Sequence, residues 1–278
     1  MGYSDLGCYG SEIATPNLDK LAAAGIRYTR MYNTSKCYPT RAALLTGNYF
    51  QHTDREFPNT ATAGEVLRPA GYHTWWSGKH HADFNPHGRG FDHFFGFLGG
   101  AVNFWNPGGQ DKKGKAVPGA VYSWAFDDKI VNPFIPEKGF HCTDAFTDWG
   151  LGQLDNTLIL FLADNGASPE RPKKPDVDPD AEWGSVGSFE SIGRAWANVC
   201  DTPLRKWKAT SHEGGINTPM IAHWPNGIEA PGTVNRQPCH LIDLLPTWME
   251  LAAKMAGQWD AWFKRCTGKA YVTKSNSK

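Results

Sequence analysis

The sequence predicts an open α/β fold, a sheet flanked by helices on both faces. Three observations predict it. Leu158-Ile159-Leu160-Phe161-Leu162 is a continuous apolar run of strand length, the pattern of a central strand buried on both faces. A capped helix at residues 15–25 leads straight into a strand pattern at Ile26–Tyr32. Helix and strand patterns then keep alternating along the chain, as in an α/β sheet with helical layers.

The elements follow in order. Thr15 is a good N-cap, Pro16 suits the first helical position and Gly25 suits the stop. Leu18, Leu21 and Ala22 fall on one face of that helix. After Pro39 a second helix is expected to begin near Thr40 and to carry Ala42, Ala43, Leu44 and Leu45. Gly64–Ala70 reads as a short helix closed by Pro69 and Gly71, and Tyr72–Trp76 as a strand. Residues 101–140 are rich in Gly, Pro, Asn and Trp and read mostly as loop. Pro169–Asp180 holds four prolines and several charges, the composition of a surface loop. Pro219–His223 is a further strand. His240–Ala253 is a helix whose apolar face holds Leu241, Leu244, Leu245, Trp248 and Leu251. The last dozen residues are polar and expected to fray.

Composition narrows the partners. The 278 residues carry 28 Lys+Arg and 28 Asp+Glu, so no charge excess points to nucleic acid or an anionic membrane. No stretch approaches the apolar length of a membrane span. Met1-Gly2-Tyr3-Ser4-Asp5 lacks the basic and then apolar pattern of a signal peptide. Cys8, Cys37, Cys142, Cys200, Cys239 and Cys266 contain no CxxC pair, which excludes a zinc ribbon or a dense disulfide scaffold.

The sharpest motif is Cys37-Tyr38-Pro39-Thr40-Arg41, running into Ala42-Ala43-Leu44-Leu45-Thr46-Gly47. It sets a thiol at a helix start, where free N–H groups and the dipole favour negative charge. Arg41, one turn on, can hold an anion there. On the residues alone, a buried cysteine near a turn is the simpler reading. Asp164-Asn165-Gly166 follows the best strand, at the end of a strand where open α/β sheets bind ligands. The pair offers hard oxygen ligands for Ca²⁺ or Mg²⁺, although the tripeptide is equally a turn signal. Lys79-His80-His81 after a strand offers a point positive charge and a proton-passing donor.

Cys37-Tyr38-Pro39-Thr40-Arg41 with the following Leu-Leu-Thr-Gly resembles the signature of the type I sulfatases, arylsulfatase-like members of the alkaline phosphatase superfamily. Gly2–Gly10 and Thr15–Asp19 are similar to the segment that precedes that signature. Gly78-Lys79-His80-His81 is similar to the family's Gly-Lys-Trp-His block, and Lys208 with His212-Glu213-Gly214-Gly215 to its later lysine and Glu-Gly-Gly block. The resemblance implies an alkaline-phosphatase-like α/β sheet, reduced relative to the family. It implies that a maturation enzyme converts Cys37 to formylglycine, the nucleophile. It also implies that Arg41, Lys79, His81 and Lys208 bind sulfate or move protons, with His212 assisting. Asp164, Asn165 and residue 37 would ligate Ca²⁺, or Mg²⁺. The implied substrate is a small sulfate ester, and the implied location is periplasmic or secreted.

The chain departs from the family's pattern in places. The strand ending in a metal-binding aspartate pair, which precedes the Met-Gly-Tyr-Ser-Asp segment in the family, is not in this sequence. Between Asp144–Asp148 and the Asp-Asn-Gly strand only Trp149–Asn156 stands where the family carries a longer segment with another active-site histidine. Glu250-Leu251-Ala252 runs almost directly into Trp259-Asp260-Ala261-Trp262. The expected division is therefore a catalytic domain over residues 1–252 and the remnant of a C-terminal subdomain over residues 253–278. The leading expectation is a sulfuric ester hydrolase. The rivals are a phosphodiester or phosphonate ester hydrolase of the same superfamily and a non-catalytic remnant.

Overall fold

The structure is a computed structural model. It describes all residues except 59, 111–112, 116–122, 152–156, 171–177, 179, 183–184, 186, 189–190, 226 and 268–278, so the expected fraying of the last dozen residues lies largely outside it. Two short 3-10 turns, Tyr3–Asp5 and Gly7–Tyr9, lead into α1 (Pro16–Ala23) and β1 (Ile26–Tyr32). α2 spans Cys37–Thr46, followed by α3 (Phe50–Thr53), α4 (Ala63–Leu67) and β2 (Trp75–Ser77). Then come β3 (His93–Phe97), β4 (Trp124–Phe126), β5 (Lys129–Val131), α5 (Cys142–Leu151) and β6 (Ile159–Leu162). The chain closes with α6 (Gly193–Cys200), α7 (Glu213–Ile216), β7 (Asn217–His223), β8 (Thr233–Asn235), β9 (Cys239–His240) and α8 (Leu244–Thr267).

Two sheets form rather than one. The larger runs β6-β7-β1-β8, with β9 also pairing with β1. β7 is antiparallel to both β1 and β6, whereas β8 and β9 run parallel to β1. One face buries Met31, Met220 and Ala222 against Ala43 of α2, Leu241 just before α8 and Leu244 at its start. Alternation along β7 sends Ile221 to the other face, where it is also fully buried. Arg27, its register partner there, donates to the Cys8 carbonyl and ties the N-terminal turns to that face. The sheet is therefore covered on both sides, as the sequence predicts.

The smaller sheet runs β2-β3-β4-β5, and it corrects the reading of residues 101–140 as loop. β4 and β5 are three-residue strands inside a Gly/Pro-rich context, too short for a periodicity to show. Aromatic packing fixes them: Trp124 is fully buried, stacks on Phe146 and meets Phe95, Phe97 and Phe134 at a tilt.

Three further corrections concern boundaries. α2 begins at Cys37, not near Thr40, because Pro39 lies in the first turn, where its missing N–H costs nothing. Tyr72–Trp76 yields only β2 at Trp75–Ser77. β6 is half-buried and ends the sheet order, with no partner on its outer edge among the described residues. An apolar run reports the layers above and below a strand, not its rank in the sheet, so the sequence placed it centrally. α8 (Leu244–Thr267) runs past the helix end expected at Ala253.

Close backbone packing joins the two parts of β2–β3. A Cβ on Gly96 would stand 1.9 Å from the Gly78 carbonyl oxygen, while one on Gly88 would meet nothing within 4 Å. Gly96→Ala should therefore lower stability by about 1–3 kcal/mol, the usual cost of overpacking. Gly88→Ala should stay within about 0.5 kcal/mol. Urea unfolding midpoints of the two variants check both.

Candidate active site

Cys37 opens α2 and is 8% exposed, with Lys36 as the N-cap residue. The loop before it is tied back by Thr40, whose hydroxyl donates to the Thr34 carbonyl (2.9 Å) and accepts from the Thr34 N–H (3.2 Å). That places the thiol at a helix start, where unpaired N–H groups favour an anion.

Asp164 and Asn165 follow β6. The turn after them is held by close approach, since a Cβ on Gly166 would lie 1.7 Å from the Gly214 carbonyl oxygen. Gly166 N–H donates to the Gly215 carbonyl and Lys208 N–H to the Ala167 carbonyl (3.1 Å). Ala209 N–H donates to the Ser35 carbonyl (2.8 Å), beside the start of α2. These backbone bonds carry Lys208 to the same place as Asp164 and Cys37.

The result is a cavity of about 130 Å³ lined by Met1, Cys37, Lys79, Asp164, Asn165, Gly166, Ser168 and Lys208. Arg41 supports it from behind. Its guanidinium pairs with Asp164 (Nε–Oδ2 3.4 Å) and donates to the Lys79 carbonyl (2.6 Å). Lys79 and the Cys37 side chain line the same cavity and interact electrostatically. Burial, and then Arg41, lower the Lys79 pKa, with Cys37 and Asp164 partly offsetting them. Burial opposes ionisation of Asp164, but Arg41 and Lys79 outweigh it and its pKa is lowered. A second cavity of about 630 Å³ shares Lys79, Ser168 and Lys208 and is walled by Phe97, Val102, Phe104 and Trp105.

Six of the residues expected from the sequence thus meet: Cys37, Arg41, Lys79, Asp164, Asn165 and Lys208. Two do not line this cavity. His81, at φ +66°, faces a neighbouring cavity with Arg55, Asp83 and Gly100. Burial, then Lys79 and Arg41, lower its ring to about 4, so it is neutral at neutral pH. His212 is exposed at the start of α7, where its carbonyl accepts from Gly215 and Ile216.

The metal expectation meets a fitting donor set of modest size. Asn165 Oδ1 is buried with no hydrogen-bond partner, beside the ionised Asp164 carboxylate. An orphaned amide oxygen and a carboxylate facing one cavity suit a hard divalent cation. Among the described residues, no group of three or more His, Cys, Asp or Glu side chains accompanies them.

Two residues escaped the sequence reading. Glu170 bridges Lys208 (2.6 Å) and Lys36 (3.0 Å) at the cavity edge. It lies in a segment that composition marks only as surface loop. Asp201 caps α6 and accepts the Ala167 N–H with both carboxylate oxygens (3.0 Å each). It clamps the turn after Asn165, and no motif announced it.

Cavity and fold together define an α/β protein with a small lysine-lined cavity beside Cys37 at a helix start, reached from the ends of β1 and β6. The Sulfatase family model matches residues 1–137 and 141–255, and the chain belongs to the sulfatase family. It is 26% identical to the arylsulfatase of Klebsiella aerogenes, covering 91% of this chain and 84% of the relative. It is 29% identical to human arylsulfatase A, covering 91% of this chain and 62% of that protein. The Klebsiella alignment runs over 393 positions against 278 residues here, so long stretches exist only in the relative. The crystal structure of Ps i-CgsB in complex with k-i-k-neocarrahexaose matches with a TM-score of 0.69 at 24% identity, over 91% of this chain and 70% of that one. The PsFucS1 sulfatase from Pseudoalteromonas sp. matches with a TM-score of 0.63 at 22% identity, over 91% and 65%. The alkaline-phosphatase-like sheet expected from the sequence is the fold these neighbours share. No helix among the described residues is long and apolar enough to cross a membrane.

Asp201 makes this site pH-sensitive in a checkable way. Burial raises its carboxyl to about 6, against the lowering pull of the Ala167 N–H. The folded state therefore binds the proton more tightly than the unfolded state. Stability contributed by the protonated form is present below about pH 4 and is lost as pH rises towards 6. Asp201→Asn should remove that loss, which is on the order of 2 kcal/mol. Urea midpoints of wild type and variant from pH 4 to 7 should diverge across this window in the variant's favour.

Proposed function

We propose that the cavity at Cys37 hydrolyses sulfate monoesters, with residues 1–252 as the catalytic unit. The observation that carries this reading is the convergence of Cys37, Lys79, Lys208 and the Arg41–Asp164 pair on one small cavity. A tetrahedral oxyanion fits such a place: it meets a helix N-terminus and two lysine ammoniums together. The family membership supplies the reaction class.

In this reading residue 37 acts as formylglycine, made from Cys37 by a maturation enzyme. One hydroxyl of its hydrated aldehyde attacks sulfur, the S–O bond to the alcohol breaks, and the alcohol leaves with a proton. The second hydroxyl then loses its proton, sulfate is expelled and the aldehyde returns, ready to be hydrated by water. Lys79 and Lys208 hold the sulfate oxygens. Lys79 is the better proton donor to the leaving oxygen, because its lowered pKa brings it nearer to working pH. Arg41 acts through Asp164 and the Lys79 backbone. His81, neutral and one cavity away, is a proton relay at most through solvent, and His212 is left without a role. Asp164, Asn165 and the residue-37 oxygen would hold Ca²⁺ or Mg²⁺, which would polarise the sulfate ester when bound. The aromatic wall of the larger cavity receives the alcohol portion.

The test is hydrolysis of 4-nitrophenyl sulfate by protein co-expressed with a formylglycine-generating enzyme. Cys37→Ala should abolish turnover with the fold intact by circular dichroism. Turnover equal to wild type would sink the assignment. Lys79→Ala should lower kcat/KM by about 10²–10⁴, the range for removing a positioned acid. A loss below about tenfold would place the proton elsewhere.

A further inference from the structure

The carboxylate at the cavity edge carries an inference about charge selection. Lys208 is the more buried of the two lysines that Glu170 bridges, its side chain 15% exposed against 53% for Lys36. Any anion that reaches Lys208 must share it with Glu170. Arg41, Lys79 and Lys208 bring positive charge to the cavity, which Met1 also lines, and Asp164 brings negative charge. Glu170 adds a second carboxylate directly on Lys208 (2.6 Å). A singly charged ester that reaches Lys208 meets the repulsion of that carboxylate once. A doubly charged one meets about twice that repulsion.

We propose that Glu170 is a specificity-determining residue that makes the pocket prefer singly charged sulfate esters over doubly charged phosphate monoesters. The proposal rests on the reading of this cavity as an anion site and goes beyond it, since Glu170 touches no reacting atom. It works by repulsion: the carboxylate occupies Lys208 and disfavours the more highly charged of two anions. Lys36, on the solvent side, offsets part of the Glu170 charge without entering the cavity. Glu170 is ionised throughout the useful pH range. Burial opposes its ionisation, but hydrogen bonds from Lys208 and Lys36 prevail and lower its pKa.

The test compares 4-nitrophenyl sulfate with 4-nitrophenyl phosphate, two ligands with one ring and different charge. Isothermal titration uses the Cys37 form of the protein with a chelator present, so neither maturation nor a cation enters. At pH 8 the wild type should bind the sulfate ester more tightly. Glu170→Gln should move the ratio of the two Kd values at least tenfold towards the phosphate. Lys36→Met, which leaves the Glu170 charge less screened, should move it the other way. Lowering the pH from 8 to 5 raises the singly charged fraction of the phosphate ester, and the wild-type preference should shrink. Equal loss of both affinities in Glu170→Gln would overturn the proposal and make Glu170 a holder of Lys208. Binding of neither ester to any form would overturn the anion-pocket reading along with it.

Discussion

The site depends on carboxylates placed among cations. Arg41, Lys79 and Lys208 are brought to one small cavity, and three positive charges so close repel one another. Asp164 on Arg41 and Glu170 on Lys208 offset that repulsion. Both carboxylates stand on the segment that follows β6, so the position of that segment governs everything else. It is set by contacts that leave little freedom: the approach of Gly166 to the Gly214 carbonyl, and the clamp of Asp201 on the Ala167 N–H. A shift of either would separate Asp164 from Arg41 and Lys208 from Cys37 together. Pocket and fold are coupled through backbone hydrogen bonds rather than through side-chain packing alone.

The sequence revealed the parts whose local chemistry is distinctive. The Cys37–Arg41 motif, the Asp164-Asn165 pair and Lys79 could be named because they stand beside capping, glycine or strand signals, whereas Lys208 was named only through the resemblance to the sulfatases. α1, β1 and β7 were legible for similar reasons. What escaped was set by tertiary contacts. β4 and β5 exist because Trp124 needs an aromatic surround, which no three-residue period can announce. β6 reads as central although it ends the sheet order, since apolar continuity is blind to lateral order. Glu170 and Asp201 gained their roles from partners 38 and 34 residues away. His81 and His212 show the reverse case: the motif positions are occupied, but one ring turns into a neighbouring cavity and the other out to solvent.

The chain aligns with 84% of the length of the Klebsiella aerogenes arylsulfatase and 62% of human arylsulfatase A. Among the described residues the donor set for a divalent cation at the cavity is one carboxylate and one orphaned amide oxygen beside residue 37. In the proposed reaction the lysines and the helix start stabilise the oxyanion, and hydrogen bonding of this kind is a large catalytic term in its own right. The anion site is therefore the feature on which the functional account stands.

The most direct test is a crystal structure of the protein soaked with tungstate, a tetrahedral oxyanion that scatters strongly enough to be located without ambiguity. The account predicts one principal site, beside residue 37, within hydrogen-bond reach of Lys79 Nζ and Lys208 Nζ. Tungstate bound elsewhere, with the cavity at Cys37 left empty, would contradict it.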